Sequence, residues 1–523
     1  MNGGEMIRVQ LIKVDVIMAV FNAEATVEAS VRSAMHQVMP PNKSPASGML
    51  DFDICVCCYN DASTDGSLEL LKRLEKEFHS VEESASTGVL QTRLLIGSAQ
   101  GGSLSRGAGY ARNQAAKLRD EHETRPRSNS GTMHFICVLD SDDLMHETRI
   151  AEQTLAMLSM EGDQNKTLVG SQFERLPADS TEHYTRWANS LSDERLRLEQ
   201  FRECTLVRNF LWNKIDGNLF ISITCVQLQP TWFMARAWFE QLGGYVEAPP
   251  ITLDKSEQSL KRTKTQLEAE DKVYKLIHPS ELPALSAAAN EGSRKRKRST
   301  IKEASVDTIR LAEDTRFFYA HILNGGGMHL HRTATPLVTY RHRVGMSQSS
   351  STPRRLLLKL RTKAWEDIVF NREDAWRAGF AIWGGGRDGK DFLKALSPSA
   401  AAKVVCFVDV DEKKIAQIKY YDNPDFGRRI PILHFTQLAK NLGVSSFGKI
   451  EKTCNKDTFN LTRPAVGENE TRPSETRPSE IEPEVLHGLP VVVCVAMYRT
   501  NGALERNVAS IGRVEGQNLW HIC

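Results

Sequence analysis

Four residues, Asp140-Ser141-Asp142-Asp143, follow directly on an apolar run, Phe135-Ile136-Cys137-Val138-Leu139. The run has the length of a buried strand. A carboxylate cluster at the end of a buried strand is costly to desolvate unless a cation balances it. The simplest balancing partner is a divalent metal carrying a diphosphate, and hard oxygen ligands suit Mg²⁺ or Mn²⁺. In an extended segment Asp140 and Asp142 share one side, so one can reach a ribose hydroxyl while the other meets a metal. The alternative is an Asp-rich turn that caps the following helix.

Three more segments carry chemical side chains. Asn60-Asp61-Ala62-Ser63-Thr64-Asp65-Gly66 also follows an apolar run. Asx-turns and a helix cap account for its composition, and a carboxylate there can instead accept an imide N–H of a base. Arg106-Gly107-Ala108-Gly109-Tyr110-Ala111-Arg112-Asn113 joins a Gly-rich entry to two cations, a pattern that suits a diphosphate near a helix N-terminus or an ordinary surface helix. Gly384-Gly385-Gly386-Arg387-Asp388-Gly389 has GxGxxG spacing between a strand and a helix, and Asp409 ends the next strand. That is the setting of a nucleotide-binding fold, although the same glycines also serve tight strand–helix packing.

The elements that must position these residues are read from periodicity. Strands are expected over residues 14–20, 53–59, 94–96 and 135–139, and helices open at Asn22-Ala23-Glu24 (running through Met35), at 67–78 and at 108–118. Strand–helix alternation predicts a parallel α/β sheet, with ligands beyond the C-terminal strand ends. A helical pattern returns at 309–324 and a β-rich stretch at 337–340. A second α/β unit begins near residue 375, with strands at 381–383, 403–408 and 491–496. Residues 249–305 read as an inserted loop containing Arg294-Lys295-Arg296-Lys297-Arg298, which suits an RNA contact, a nuclear-localisation signal or a merely solvated charge run. Residues 450–485 read as a low-complexity insertion.

The chain has 523 residues, 41% hydrophobic and 25% charged, with a net charge of +2. It is long enough for two cores, and its charge balance gives no argument for a strongly acidic or basic partner. The longest apolar stretches fall far short of the ~18 residues of a membrane span. The N-terminus lacks signal-peptide order. The ten cysteines show no framework spacing, and Cys55, Cys57 and Cys58 read as buried thiols. These features predict a cytoplasmic protein, with nuclear entry open through the basic run.

Taken together and in order, Ala19-Val20-Phe21-Asn22-Ala23-Glu24, Asn60-Asp61 through Asp65, Arg106-Gly107 through Asn113, and Asp140-Ser141-Asp142-Asp143 resemble the landmarks of family 2 glycosyltransferases of the GT-A fold. The resemblance implies a GT-A domain over residues 11–350 and leaves a Rossmann-like α/β domain over 375–523. It implies a UDP-sugar donor held by Asn22, Glu24, Asp61, Arg106, Arg112, Asn113 and Asp140, with Asp61 on uracil and Asp140 on ribose. It implies Mn²⁺ or Mg²⁺ on Asp142, with His342 a second possible ligand. It implies a catalytic base in Glu313-Asp314, with Asp314 favoured, and an acceptor contact at Trp232. Glu313-Asp314 also fits plain charge complementarity at a helix start.

Further segments resemble one branch of this family: His183-Tyr184-Thr185-Arg186-Trp187, residues 230–239, residues 381–383 with 404–412, and Arg429-Ile430-Pro431-Ile432-Leu433-His434-Phe435. That resemblance implies transfer of galactose from UDP-galactose to queuosine in cytoplasmic tRNA-Tyr. A UDP-GlcNAc-dependent β-1,3-N-acetylglucosaminyltransferase acting on a glycan or protein is the alternative enzyme. A non-catalytic RNA- or nucleotide-binding protein is the alternative outside enzymes. For a tRNA partner, the basic stretch 353–363 offers five cations beside four leucines. One face of that stretch is expected to pack and the other either to meet phosphates or to stay solvated.

Overall fold

The computed structural model describes residues 10–39, 50–82, 90–100, 103–123, 132–160, 162–180, 182–201, 204–205, 222–223, 229–247, 312–341, 354–423, 427–439, 483–495 and 502–522. His342, the segment 249–305 with its basic run, and residues 450–482 lie outside them. The chain divides into two compact units, Met1–Ala364 and Trp365–Cys523.

The first unit is built on strands β1 (Gln10–Val20), β2 (Leu50–Asn60), β3 (Leu90–Ser98), β4 (Met133–Val138), β5 (Leu144–Met145) and β6 (Leu168–Leu176). A small pair, β7 (Cys204–Thr205) and β8 (Ser222–Ile223), stands apart, and β9 (Phe233–Ala235) and β10 (Leu330–Arg341) complete the main sheet. The main sheet has eight strands in the order β3-β2-β1-β4-β9-β6-β10-β5. Strands β1 to β4 run parallel to one another, whereas β9 lies antiparallel between β4 and β6. The order reverses between β1 and β4, and such a switch point opens a crevice at the C-terminal strand ends.

Burial explains why these runs form strands. β1 reads QLIKVDVIMAV and is covered on both faces, as inner parallel strands are. The main core joins Val14, Val16, Met18, Val56, Cys58 and Phe135 to Val27, Val31 and Leu71 of the covering helices. Cys55, Cys57 and Cys58 are buried, as expected.

β1 begins four residues earlier than periodicity predicts, because it accommodates the charge of Lys13, and it holds a second charge, Asp15, further along. Lys13 Nζ pairs with Glu123 at 2.9 Å. The fully buried Asp15 meets Arg119, Arg236 Nη1 at 2.7 Å and His134 at 2.7 Å. Burial alone would raise the Asp15 carboxyl, but the His134 hydrogen bond and the two guanidinium charges bring it down to about 2. The expected helix 108–118 is two helices, Ala108–Ala115 and Leu118–His122. The second of them carries the buried Arg119 to Asp15.

The second unit holds β11 (Phe380–Trp383), β12 (Val404–Asp409), β13 (Tyr420–Asn423), β14 (Arg428–His434), β15 (Val491–Val493) and β16 (Leu519–His521). Its order is β13-β14-β12-β11-β15-β16, all parallel except the β13 edge. The chain winds outward from β11 in both directions, which is a Rossmann-like arrangement.

In the basic helix Arg354–Trp365, Leu357 and Leu358 are buried. Arg361 is fully buried as well, so it is not one of the phosphate-facing cations considered above. Lys359 is exposed. No helix among the described residues is long and apolar enough to cross a membrane.

Candidate active site

Because β1, β2 and β4 are parallel and in register, the loops after Val20, Asn60 and Val138 emerge on one edge. The first two loops are stapled together. Asn22 adopts a left-handed backbone (φ 48°). Its main-chain N–H donates to Ser63 Oγ at 3.0 Å, and its Oδ1 accepts from Thr64 N–H at 2.8 Å. Glu24 accepts from Gly66 N–H at 3.1 Å. Asn22 and Glu24 therefore shape the wall of the crevice through the 61–66 loop.

Asp61 is buried at the end of β2. Its carboxylate accepts from the main-chain N–H of Arg106 at 2.8 Å, from that of Gly107 at 2.7 Å and from Ser105 Oγ at 2.7 Å. It anchors the entry to helix Ala108–Ala115. Gly107, with φ 96°, is the residue that makes this approach possible.

Beyond that entry the side chains turn inward. The Arg106 guanidinium stacks on the Tyr110 ring at 3.7 Å and reaches Glu247 at 3.2 Å. Asn113 donates to Tyr245 O and to Glu247 Oε1, at 2.8 and 2.9 Å. Arg112 is buried between two acids: Nη2 meets Asp140 Oδ1 at 2.6 Å and Nη1 meets Glu313 Oε1 at 3.0 Å. Burial opposes its charge, yet the two carboxylates, Asp140 foremost, hold it firmly protonated. Arg112 and Asn113, expected on the donor, thus act here as internal ties. Sequence reasoning missed Glu247 and Tyr245, which precede the inserted segment and have no motif of their own.

The acidic loop is the electrostatic centre. Oxygens of Asp140, Asp142 and Asp143 lie within 4.8 Å of one another. Asp143 is fully buried; Oδ1 accepts from Arg341 N–H at 2.9 Å, while Oδ2 is buried without a hydrogen-bond partner. Burial first, and then the charges of Asp142 and Asp140, push the Asp143 carboxyl well above the usual range. Three converging hard oxygens and an orphaned buried acceptor fit a small divalent cation.

Helix Glu313–Leu323 presents the acidic pair, entered through the left-handed Ala312 (φ 57°). Glu313 belongs to Arg112. Asp314 Oδ1 accepts from Thr315 N–H at 2.6 Å and from its hydroxyl at 3.2 Å. Burial, then the charge of Glu313, raise the Asp314 carboxyl to about 6, against the opposing Thr315 bonds and Arg112. A carboxylate of that basicity suits a general base near neutral pH.

One expected residue is placed elsewhere. Trp232 is fully buried, with its ring against Phe317 and Phe318 at 5.7 and 6.3 Å. It supports the helix that carries Asp314, and its indole does not face an acceptor.

Residues 15–165 match the pattern of glycosyl transferase family 2. The matched segment contains the second half of β1, all of β2 and β4, the Asp61 loop and the whole acidic loop. Among solved structures, Staphylococcus aureus TarS 1-349 in complex with UDP is similar at 12% identity and TM-score 0.33, over 75% of this chain and 83% of that one. The same fragment in complex with UDP-GlcNAc gives 13% identity and TM-score 0.33, over 75% and 84%. The chain carries a glycosyltransferase domain of the GT-A fold followed by a Rossmann-like unit, and it is an enzyme of the glycosyltransferase class.

Proposed function

We propose that this chain is a cation-dependent, inverting galactosyltransferase that moves galactose from UDP-galactose to queuosine in tRNA-Tyr. The observation that carries the catalytic part is the bridge Asp314-Glu313–Arg112–Asp140. It joins a carboxyl raised to about 6 to the cation-binding loop. Sugar and acceptor rest on the resemblance in residues 183–187, 230–239, 381–383 with 404–412, and 429–435.

In this reading Asp142 and Asp143 would hold Mg²⁺ or Mn²⁺, which would supply positive charge to offset that of a departing diphosphate. Asp140, steadied by Arg112, faces the ribose. Asn22, Glu24 and Asp61 keep the two neighbouring loops in place around the donor. Thr315 fixes Oδ1 of Asp314, and Oδ2 takes the proton of the acceptor hydroxyl. The hydroxyl oxygen forms a bond to the anomeric carbon while the bond from that carbon to the UDP oxygen breaks. One displacement inverts an α-linked donor into a β-linked product.

Incubation with UDP-galactose and queuosine-containing tRNA, followed by nucleoside mass spectrometry, should show queuosine gaining one hexose. Transfer from UDP-GlcNAc alone, or onto a glycan or protein with the tRNA untouched, overturns the assignment of donor and acceptor.

A further inference from the structure

We propose that Arg341 is a positioning residue that sets the geometry of the acidic loop for its cation. The proposal rests on the reading that this loop binds a divalent metal.

Arg341 is the last residue of β10, whose Val338 and Thr339 pair antiparallel with Met145 and Leu144 immediately after the loop. That pairing brings the strand end alongside Asp142 and Asp143. Arg341 then makes contacts in three directions. Its main-chain N–H donates to Asp143 Oδ1 at 2.9 Å, and its Nε donates to the main-chain carbonyl of Asp142. Its Nη2 donates to Thr26 O at 3.1 Å and to Ser30 Oγ at 2.8 Å. The fully buried Ser30 in turn donates to Ser141 O at 2.9 Å. Ser33, on the same helix Val27–Met35, accepts from Met145 N–H at 3.0 Å. One guanidinium therefore ties the acidic loop to the helix beneath it.

The geometry has a direct consequence for the metal. Because Asp143 Oδ1 is occupied by a main-chain donor, Oδ2 is the oxygen left for the cluster. The main-chain orientation of Asp142, which aims its carboxylate, is fixed by the Nε bond. A guanidinium suits this task because its donors diverge in one plane toward separate acceptors, which an ammonium cannot match. Arg341 also sets a positive charge beside Asp143 that opposes the repulsion among the carboxylates. Residues behind the ligands commonly set metal affinity in this way.

The test uses the full chain and measures Mn²⁺ binding from the loss of the free-ion electron paramagnetic resonance signal, with and without UDP. R341M keeps the main-chain bond to Asp143 but loses every guanidinium contact. It should weaken Mn²⁺ binding by about tenfold or more, with its circular dichroism unchanged. R341K should fall between R341M and the wild type. S30A removes one Arg341 acceptor and the Ser141 tie at a helix position that favours alanine. It should weaken binding by about threefold, the scale of one net hydrogen bond. Raising Mn²⁺ should restore the R341M transfer rate, which a misfolded fraction would not do. Unchanged Mn²⁺ affinity in R341M and S30A overturns the proposal while leaving the metal reading intact. Should R341M fail to fold, the S30A affinity decides. A wild-type chain that binds no Mn²⁺ even with UDP overturns the metal reading, and this proposal with it.

Discussion

Both units place an acid just beyond a parallel strand, and the two acids are treated in opposite ways. In the second unit Asp409 ends β12 beside the glycine loop. Its carboxylate accepts from Gly385 N–H at 3.1 Å, from Val410 N–H at 2.8 Å and from Lys414 Nζ at 2.7 Å. Burial opposes its charge, but the Lys414 bond and charge and the nearby N–H groups hold it below the usual carboxylate range. In the first unit Asp143 ends the acidic loop with one oxygen unpartnered and two carboxylates for neighbours, and it is pushed up. The topology is shared and the electrostatics are inverted. An acid at a strand end marks a ligand site when the chain leaves its charge uncompensated. When the chain neutralises the acid, the acid is structural. By this criterion Asp61, with its three donors, stands closer to Asp409 than to Asp143.

The widest separation should come from removing one acid on each side. Asp142→Ala should lower transfer by about a thousandfold or more, because the leaving diphosphate loses the cation's several kcal/mol of stabilisation. Its thermal midpoint should hold or rise, since repulsion with Asp140 and Asp143 is relieved. Asp409→Asn should leave UDP release from the donor unchanged. Equal losses in the two variants would erase the contrast.

Next in size is the base. Asp314→Asn should reduce kcat by about a hundredfold to ten-thousandfold while UDP binding, followed by calorimetry, stays intact. In the wild type the base must be ionised, so kcat/KM should rise about tenfold per pH unit below 6 and level off above it. A profile flat from pH 5 to 8 excludes Asp314. The same shift acts on stability. A carboxyl raised to about 6 from its ordinary value of 3.8 keeps its proton longer in the folded chain, so its contribution to stability falls as pH rises from 4 to 6. Asp314→Asn should therefore lose that downward slope.

Much of this was legible in the sequence, and the part that was not has a common cause. The strand-end loops at Asn22, Asp61 and Asp140 showed themselves because apolar runs of strand length stop at turn-forming residues. The glycine loop was legible in place but not in purpose. A Cβ on Gly389 would lie 2.0 Å from Gly384 O, so strand–helix packing alone demands that glycine. What no local pattern could reveal were the pairings across long separations: Arg112 with Glu313 over 201 residues, Asn113 with Glu247 over 134, and Arg341 with Asp143 over 198. Periodicity reports which face a residue shares with its near neighbours and is silent on distant partners. Trp232 was misplaced for a related reason. A run buried on every side has no alternation to separate a core ring from an exposed one, and residues 229–236, where Trp232 directly precedes β9, form such a run.

The smallest effect tests the compensated side. Lys414→Met removes the ammonium from Asp409 but leaves the main-chain donors, and the pair is partly exposed. The cost at pH 7 should be about 1 kcal/mol or less, read from urea unfolding followed by tryptophan fluorescence. The sign of its pH dependence is fixed. A carboxyl held low in the folded chain stabilises above the unfolded pKa, and that stability is lost as pH falls through the folded value. The gap between wild type and Lys414→Met should thus be present at pH 7 and close as pH drops below about 4. A gap that persists into strong acid would mean Lys414 acts by packing its methylene stem, and Asp409 would then no longer serve as the neutralised counterpart of Asp143.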